Sequence, residues 1–190
     1  PDEARAGRWV SGTFGWWWRY EDGNYPTSTQ LRIDGAIYRF NARGYMVTGW
    51  VYEDGQWYYY GASGGQSAGW VRVHGTWYYL DPLTGAMVSG WTKVQGTWYY
   101  LSSSGAMRTG WVHDGFAWYY LTSSGALATG WQRVGSSWYY LSPDGGAMAT
   151  GWLRDGDAWY YLTSSGAMTT GSRWIDGTRY AFDGEGRLMP

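Results

Sequence analysis

Cysteine is absent from the 190 residues, which excludes a disulfide scaffold, a thiolate metal site and a cysteine nucleophile. Aliphatic side chains are scarce too: Leu, Ile, Val and Phe together number 26. Such poverty signals disorder when net charge is high, but here the net charge is −1. Order must come from other apolar groups. Fourteen Lys and Arg stand against 15 Asp and Glu, so no basic excess exists to neutralise a phosphate backbone, and nucleic acid is not an expected partner. No apolar run approaches the ~18 residues of a membrane helix, so no membrane insertion is expected. The 31 glycines imply no phosphate loop, because no Gly-rich stretch follows a strand and opens a helix. No nucleophile, base or metal cluster recurs. A catalytic domain and a bound cofactor are therefore not expected.

What the chain does hold is 17 Trp and 19 Tyr, arranged with a period. Gly-Trp recurs at Trp50, Trp70, Trp91, Trp111, Trp131 and Trp152, at intervals of 20 or 21 residues. A second Trp follows each by seven positions, at Trp57, Trp77, Trp98, Trp118, Trp138 and Trp159, and then comes Tyr-Tyr. A Ser/Thr/Pro/Gly loop closes each unit, ending in Gly-Ala-Met or Gly-Ala-Leu in all but the first. A period of about 20 is too short for paired helices and fits one β-hairpin with its connecting loop. The expected fold is all-β, a β-solenoid of stacked two-stranded hairpins, because a lone hairpin is marginal in water.

Between the two Trp of each unit the sequence places a turn with Gly second: Asp54-Gly55, His74-Gly75, Gln95-Gly96, Asp114-Gly115, Val134-Gly135 and Asp155-Gly156. Asp-Gly between β-prone runs suits a type I′ turn, whose two central residues need positive φ. With 54 and 55 central, Glu53 pairs with Gln56, Tyr52 with Trp57 and Trp50 with Tyr59. Alternation then puts Trp50, Trp57 and Tyr59 on one face and Val51 and Tyr58 on the other. The second face, as in Val71, Val73, Tyr78 and Leu80, reads as the core between hairpins. The series Tyr78, Tyr99, Tyr119, Tyr139 and Tyr160 is assigned to packing. Aspartates beside turn glycines are read as turn formers.

Residues 1–14 read as a linker remnant, 15–48 as degenerate N-terminal capping repeats, 49–170 as six regular repeats and 171–190 as a degenerate C-terminal cap. Within the first cap, residues 18–26 suggest one irregular hairpin and residues 30–40 a second, with Gln30 and Ile37 where Trp would stand.

The unit Gly-Trp-Val-x-x-x-Gly-x-Trp-Tyr-Tyr-Leu-x-x-x-Gly-Ala-Met-x-Thr-Gly-Trp resembles the choline-binding, or cell-wall-binding, repeat found in modules of pneumococcal and phage cell-wall hydrolases and surface proteins. The resemblance covers residues 15 to 189. It implies a left-handed solenoid with a choline headgroup caged between consecutive repeats by two Trp, a Tyr of the next hairpin and often its Met. Carried onto this sequence, it implies five complete sites. The first is Trp50, Trp57 and Tyr79 with Met87; the second is Trp70, Trp77 and Tyr100 with Met107. The third is Trp91, Trp98 and Tyr120 with Leu127; the fourth is Trp111, Trp118 and Tyr140 with Met148. The fifth is Trp131, Trp138 and Tyr161 with Met168. The second Tyr of each pair is chosen because alternation puts it on the Trp face. A sixth set, Trp152 and Trp159, would then meet Ala181 and is expected to be weak or empty.

The chemistry suits such cages. A quaternary ammonium donates no hydrogen bond, yet is drawn to ring faces within ~6 Å by roughly 0.5–2 kcal/mol each. Weak sites repeated on one chain gain affinity for a polymer. The implied partner is choline or phosphocholine on wall polymers of teichoic acid type, which places the module outside the cell at the wall. Arg72, Lys93, His113, Arg133 and Arg154, two positions after the first Trp, are expected to meet the phosphate of phosphocholine. The alternative is a module for glucan or wall glycan, although only two Asn and five Gln are present to bind hydroxyls. Self-association stays open at this stage.

Overall fold

Tryptophan, tyrosine and valine favour the pleated, half-buried surface of a strand, and five-residue runs of them alternate with tight turns along the chain. The computed structural model describes residues 1–190 and consists of strands and turns without a helix. Two units are formed, residues 1–90 with 101–107 and residues 91–100 with 108–190.

The first unit holds the antiparallel hairpins Gly7–Gly12 with Gly15–Tyr20, Thr29–Ile33 with Ala36–Phe40, Gly49–Glu53 with Gln56–Tyr60, and Gly69–Val73 with Thr76–Leu80. The second holds Gly110–His113 with Trp118–Leu121, Gly130–Val134 with Ser137–Leu141, Gly151–Asp155 with Ala158–Leu162, and Gly171–Ile175 with Thr178–Phe182. Gly90–Val94 pairs with Thr97–Leu101. Each hairpin is its own small sheet, except Thr29–Ile33 with Ala36–Phe40, which Asp2–Glu3 extends to three strands. Successive hairpins stack within a unit, joined by the loop that follows each: Met87 N donates to the Trp57 carbonyl at 2.7 Å, and Met168 N to that of Trp138 at 2.8 Å.

The expected register is observed, with Glu53 opposite Gln56, Tyr52 opposite Trp57 and Trp50 opposite Tyr59. Asp54 and Gly55 have φ of 50° and 79°, as a type I′ turn requires. Three later turns differ from expectation. Val134 pairs with Ser137 and Asp155 with Ala158, so the central residues are Gly135-Ser136 and Gly156-Asp157, with glycine first. Only the glycines have positive φ there, 63° and 60°, the signature of type II′. The third, after His113, opens into a four-residue loop in which the Asp114 carboxylate accepts from Phe116 N and Ala117 N. The constant spacing of seven between tryptophans was the available signal, since it fixes the turn centre at the fourth and fifth positions after the first Trp.

The N-terminal expectation also needs correction. Gly7–Gly12, assigned to a linker, is a strand paired with Gly15–Tyr20, and Asp2–Glu3 joins Thr29–Ile33 in parallel. The irregular hairpin therefore lies at 7–20, not 18–26. Apolar burial is the reason: Trp9 packs at 4.8 Å from Tyr38 and 5.4 Å from Trp18, closing a cluster with buried Trp18, Ile33 and Phe40.

Within each unit the core is a single file, with one fully enclosed residue per repeat: Phe40, Tyr60, Leu80 and Leu101 in the first, and Leu121, Leu141, Leu162 and Phe182 in the second. Leu80 lies opposite Gly69, and Leu141 opposite Gly130. The Gly of Gly-Trp is required by conformation: Gly69 has φ of +72°, with open space where a Cβ would stand. Of the residues expected between hairpins, Leu80 and Val73 are buried while Val71 and Tyr78 are half-buried.

Tyr60 is anomalous in this file, because its hydroxyl is buried without a hydrogen-bond partner. Burial, with the nearby Glu53 carboxylate and against the Arg39 guanidinium, pushes its phenol up to about 12. Replacing Tyr60 by Phe removes an unmet donor and is expected to stabilise the protein by about 1 kcal/mol. Urea unfolding checks this; a destabilised variant would show that the hydroxyl has a bound partner.

Candidate functional site

Each of the six regular hairpins carries its two Trp on one face, and within a unit the next hairpin turns its opposite face toward them. Trp50 and Trp57 meet edge to face, with centroids 6.4 Å apart and planes at 88°. Tyr78 of the next hairpin closes the third side, 4.9 Å from Trp50 at 67°. Met87 lies beside them, and a cavity of about 300 Å³ opens among these residues with Ser103 and Ser104 on its rim. In the second unit a cavity of about 390 Å³ is lined by Trp91, Trp98, Tyr119 and Leu127. Another, of about 420 Å³, is lined by Trp131, Trp138, Tyr160 and Met168.

The tyrosine differs from the one the sequence suggested. Tyr78, Tyr119 and Tyr160 form the walls, and Tyr139 stands 4.8 Å from Trp111 in the same way. Tyr79, Tyr100, Tyr120, Tyr140 and Tyr161 instead pack inside their own hairpins, 5.0–5.2 Å from Trp70, Trp91, Trp111, Trp131 and Trp152. The physical reason is the stacking. Alternation states which residues share a face, but a cavity between stacked hairpins takes one wall from the Trp face and the other from the reverse face of the next. Tyr78 is on that reverse face, with Val71.

The Trp pairs and the Met or Leu come together as expected. Met87, Met107, Leu127, Met148 and Met168 each donate their backbone N–H to the carbonyl of Trp57, Trp77, Trp98, Trp118 and Trp138 respectively. Trp70 and Trp77 form the same edge-to-face pair at 6.3 Å. The same change of tyrosine applies to the sixth set: Tyr180, not Ala181, faces Trp152 at 4.8 Å, and Leu188 N donates to the Trp159 carbonyl at 2.8 Å.

Two carboxylates escaped the sequence reading. Trp91 Nε1 donates to Asp114 Oδ2 at 3.1 Å and Trp131 Nε1 to Asp155 Oδ2 at 2.9 Å. Both aspartates sit three positions after the first Trp of the following hairpin, on its reverse face. Burial raises the Asp114 carboxyl, but the N–H groups of Phe116 and Ala117, the Trp91 indole and the Tyr119 hydroxyl outweigh it and hold it below the usual carboxylate range. One carboxylate thus tethers two rings of one cage and lends it negative potential.

The sign for pH follows from the depressed value: the ionised form is fully present above the ordinary carboxylate pKa of ~3.9 and is lost as pH falls through the lower folded value. Asp114→Asn is expected to weaken cation binding in the Trp91 cage by roughly three- to tenfold at neutral pH and to remove the loss of binding that sets in as pH falls below the usual carboxylate range. Titration with choline, read at the Trp98 indole signal at pH 7 and in a descending acid series below pH ~3.9, checks this. An unchanged affinity in the variant would sink it.

The cations two positions after the first Trp lie outside the cages. The Arg72 guanidinium stands 5.9 Å from the Trp77 ring centroid and Lys93 Nζ 5.8 Å from that of Trp98. The His113 ring is 5.1 Å from Trp118. Each lies beside the second Trp of its own hairpin.

Rings meeting near right angles about a small cavity, repeated hairpin after hairpin, define a class: a non-helical repeat module with aromatic cages suited to a quaternary ammonium. The choline-binding repeat family matches residues 27–68, 54–89, 88–129 and 128–170, and the chain belongs to that family. Among solved structures it is similar to CbpJ of Streptococcus pneumoniae, with 38% identity and a TM-score of 0.85 over 92% of this chain and 70% of that one. Choline binding protein F of the same organism, solved with a peptidoglycan analogue, gives 36% identity and a TM-score of 0.80 over 92% and 61%. The modular autolysin LytC of S. pneumoniae gives 32% and 0.72 over 97% of this chain but 42% of that one. No curated protein sequence matches.

Proposed function

We propose that the module is non-catalytic and anchors the polypeptide carrying it to choline-bearing polymers of teichoic acid type on a bacterial cell wall, outside the cell. The carrying observation is the cage itself: Trp50, Trp57 and Tyr78 present three ring faces and Met87 a thioether, with no side chain among them that a quaternary ammonium would need to hydrogen-bond. The relatives' names support the ligand, since one is a choline binding protein and another a modular autolysin in which such a chain is 42% of the whole. The proposed ligand residues are the Trp pairs with Met or Leu as read from the sequence, and the tyrosine directly after the second-Trp position of the next repeat, as at Tyr78, Tyr119, Tyr139, Tyr160 and Tyr180. Arg72 and Lys93, beside the outer Trp, are placed to meet the phosphate of a phosphocholine whose headgroup is caged.

Retention on a diethylaminoethyl matrix with elution by free choline is expected. Trp98→Ala should lower the calorimetric choline stoichiometry by one and leave the fold intact, because Trp98 is 42% exposed. Unchanged stoichiometry, or unfolding of the variant, would count against the cage.

A further inference from the structure

A cavity of about 600 Å³ lies in the first unit, where a cage should be and is not. Gln30 and Ile37 hold the two Trp positions of their hairpin, Tyr58 comes from the reverse face of the next, and Gln66 holds the methionine position. Gln66 N donates to the Ile37 carbonyl at 2.8 Å, as Met87 N does to that of Trp57. Glu53 accepts from Gln30 Nε2 at 2.9 Å, just as Asp114 accepts from Trp91. The frame is that of a cage, but its lining has changed from rings to amides.

The altered lining is built in detail. Arg39 pairs with Glu53, and both side chains are less than a quarter exposed. Gln30 is fixed by Glu53, which leaves its amide oxygen and second N–H for another partner. The Gln66 amide has no hydrogen-bond partner in the protein and rests against Gly85, whose φ of +74° and missing Cβ make room for it. Thr29 and Ser28 add hydroxyls, and Tyr58 adds one ring. The cations are already engaged, Arg39 by Glu53 and Arg32 by Glu3 at 3.5 Å and the Gly35 carbonyl at 3.2 Å. Asp2 and Asp54 stand exposed at the rim, where water screens them.

Such a site suits neither a quaternary ammonium nor a phosphate. A quaternary ammonium would meet one ring instead of three, and a phosphate would find no uncommitted guanidinium. Two amides, one of them fixed, with a carboxylate and a guanidinium around one ring face are what a neutral, hydroxyl-rich pyranose needs, since each hydroxyl both donates and accepts. We propose that the pocket between Gln30, Glu53, Tyr58 and Gln66 binds a neutral saccharide, giving one module two ligand chemistries. The sugar site does not depend on choline filling the cages, whereas the second chemistry rests on the proposed function.

The test uses the intact chain at saturating choline, with chitotetraose and maltotetraose as probes of acetylated and plain sugar rings. Either sugar should shift the side-chain amide signals of Gln30 and Gln66 and leave the Trp98 indole unmoved. Gln66→Ala should weaken that binding roughly tenfold with no change in choline stoichiometry. The triple change Gln30→Trp, Ile37→Trp and Gln66→Met should abolish the sugar response and add one choline. Absence of amide shifts with both sugars, shifts centred on the indoles, displacement of sugar by choline, or an unaltered affinity in Gln66→Ala would each overturn the assignment. Choline binding is read at Trp98 in the same spectra, so its failure is distinguished from failure of the sugar site.

Discussion

Alanine at Tyr119 strips one wall from the cage of Trp91 and Trp98 and weakens choline there by about 2 kcal/mol, roughly 30-fold. Alanine at Tyr120 acts elsewhere. That ring lies 5.1 Å from Trp111, so its loss loosens Trp111 in the following cage and leaves the Trp98 response intact. The pair separates the two registers a sequence permits. Choline titration followed at the indole signals of Trp98 and Trp111 decides it, and a Trp98 response lost in the Tyr120 variant would restore the register read from face alternation.

The second large effect is on stability. Leu141 is fully enclosed opposite Gly130 and bridges to Met148. Truncating it to Ala is expected to cost about 2–5 kcal/mol, a large share of the ~5–15 kcal/mol typical of a folded protein. The single-file core explains the severity, because a repeat has one such residue and its neighbours cannot slide in to fill the gap. Urea unfolding with the signal of Trp138 as reporter measures it; a change under about 1 kcal/mol would mean that the aromatic contacts, not the Leu file, carry the repeat.

Much of this was legible in the residues. The period gave the hairpins, and the position of Asp54-Gly55 gave their pairing, because the side-chain period of two and the turn geometry are both local. The Trp pairs and their Met partners could be read for the same reason. The third wall could not. Whether Tyr119 or Tyr120 faces Trp91 depends on which side of a hairpin looks back along the stack, and that is set by the loop joining two hairpins, not by alternation within one. The same blind spot hid Asp114, which looks like a turn former in one dimension and is a tether for Trp91 in three. At the N-terminus, Trp9 and Val10 lacked the repeat pattern and yet form a paired strand, since burial against Phe40 and Tyr38 outweighs irregular spacing.

The methionine brace carries a consequence for how such a chain can change over time. A Cβ at Gly105 would collide with the Met87 side chain, and one at Gly166 with that of Met148. Each cage is thus assembled across three consecutive repeats: its Trp pair, the Tyr and Met of the next, and the loop glycine of the one after. Whole repeats can be gained or lost by unequal copying with no redesign, because the regular repeats within a unit use the same parts. A single substitution in a loop, by contrast, acts at a distance, altering the ligand chemistry of a cage two repeats earlier while its own repeat keeps both tryptophans.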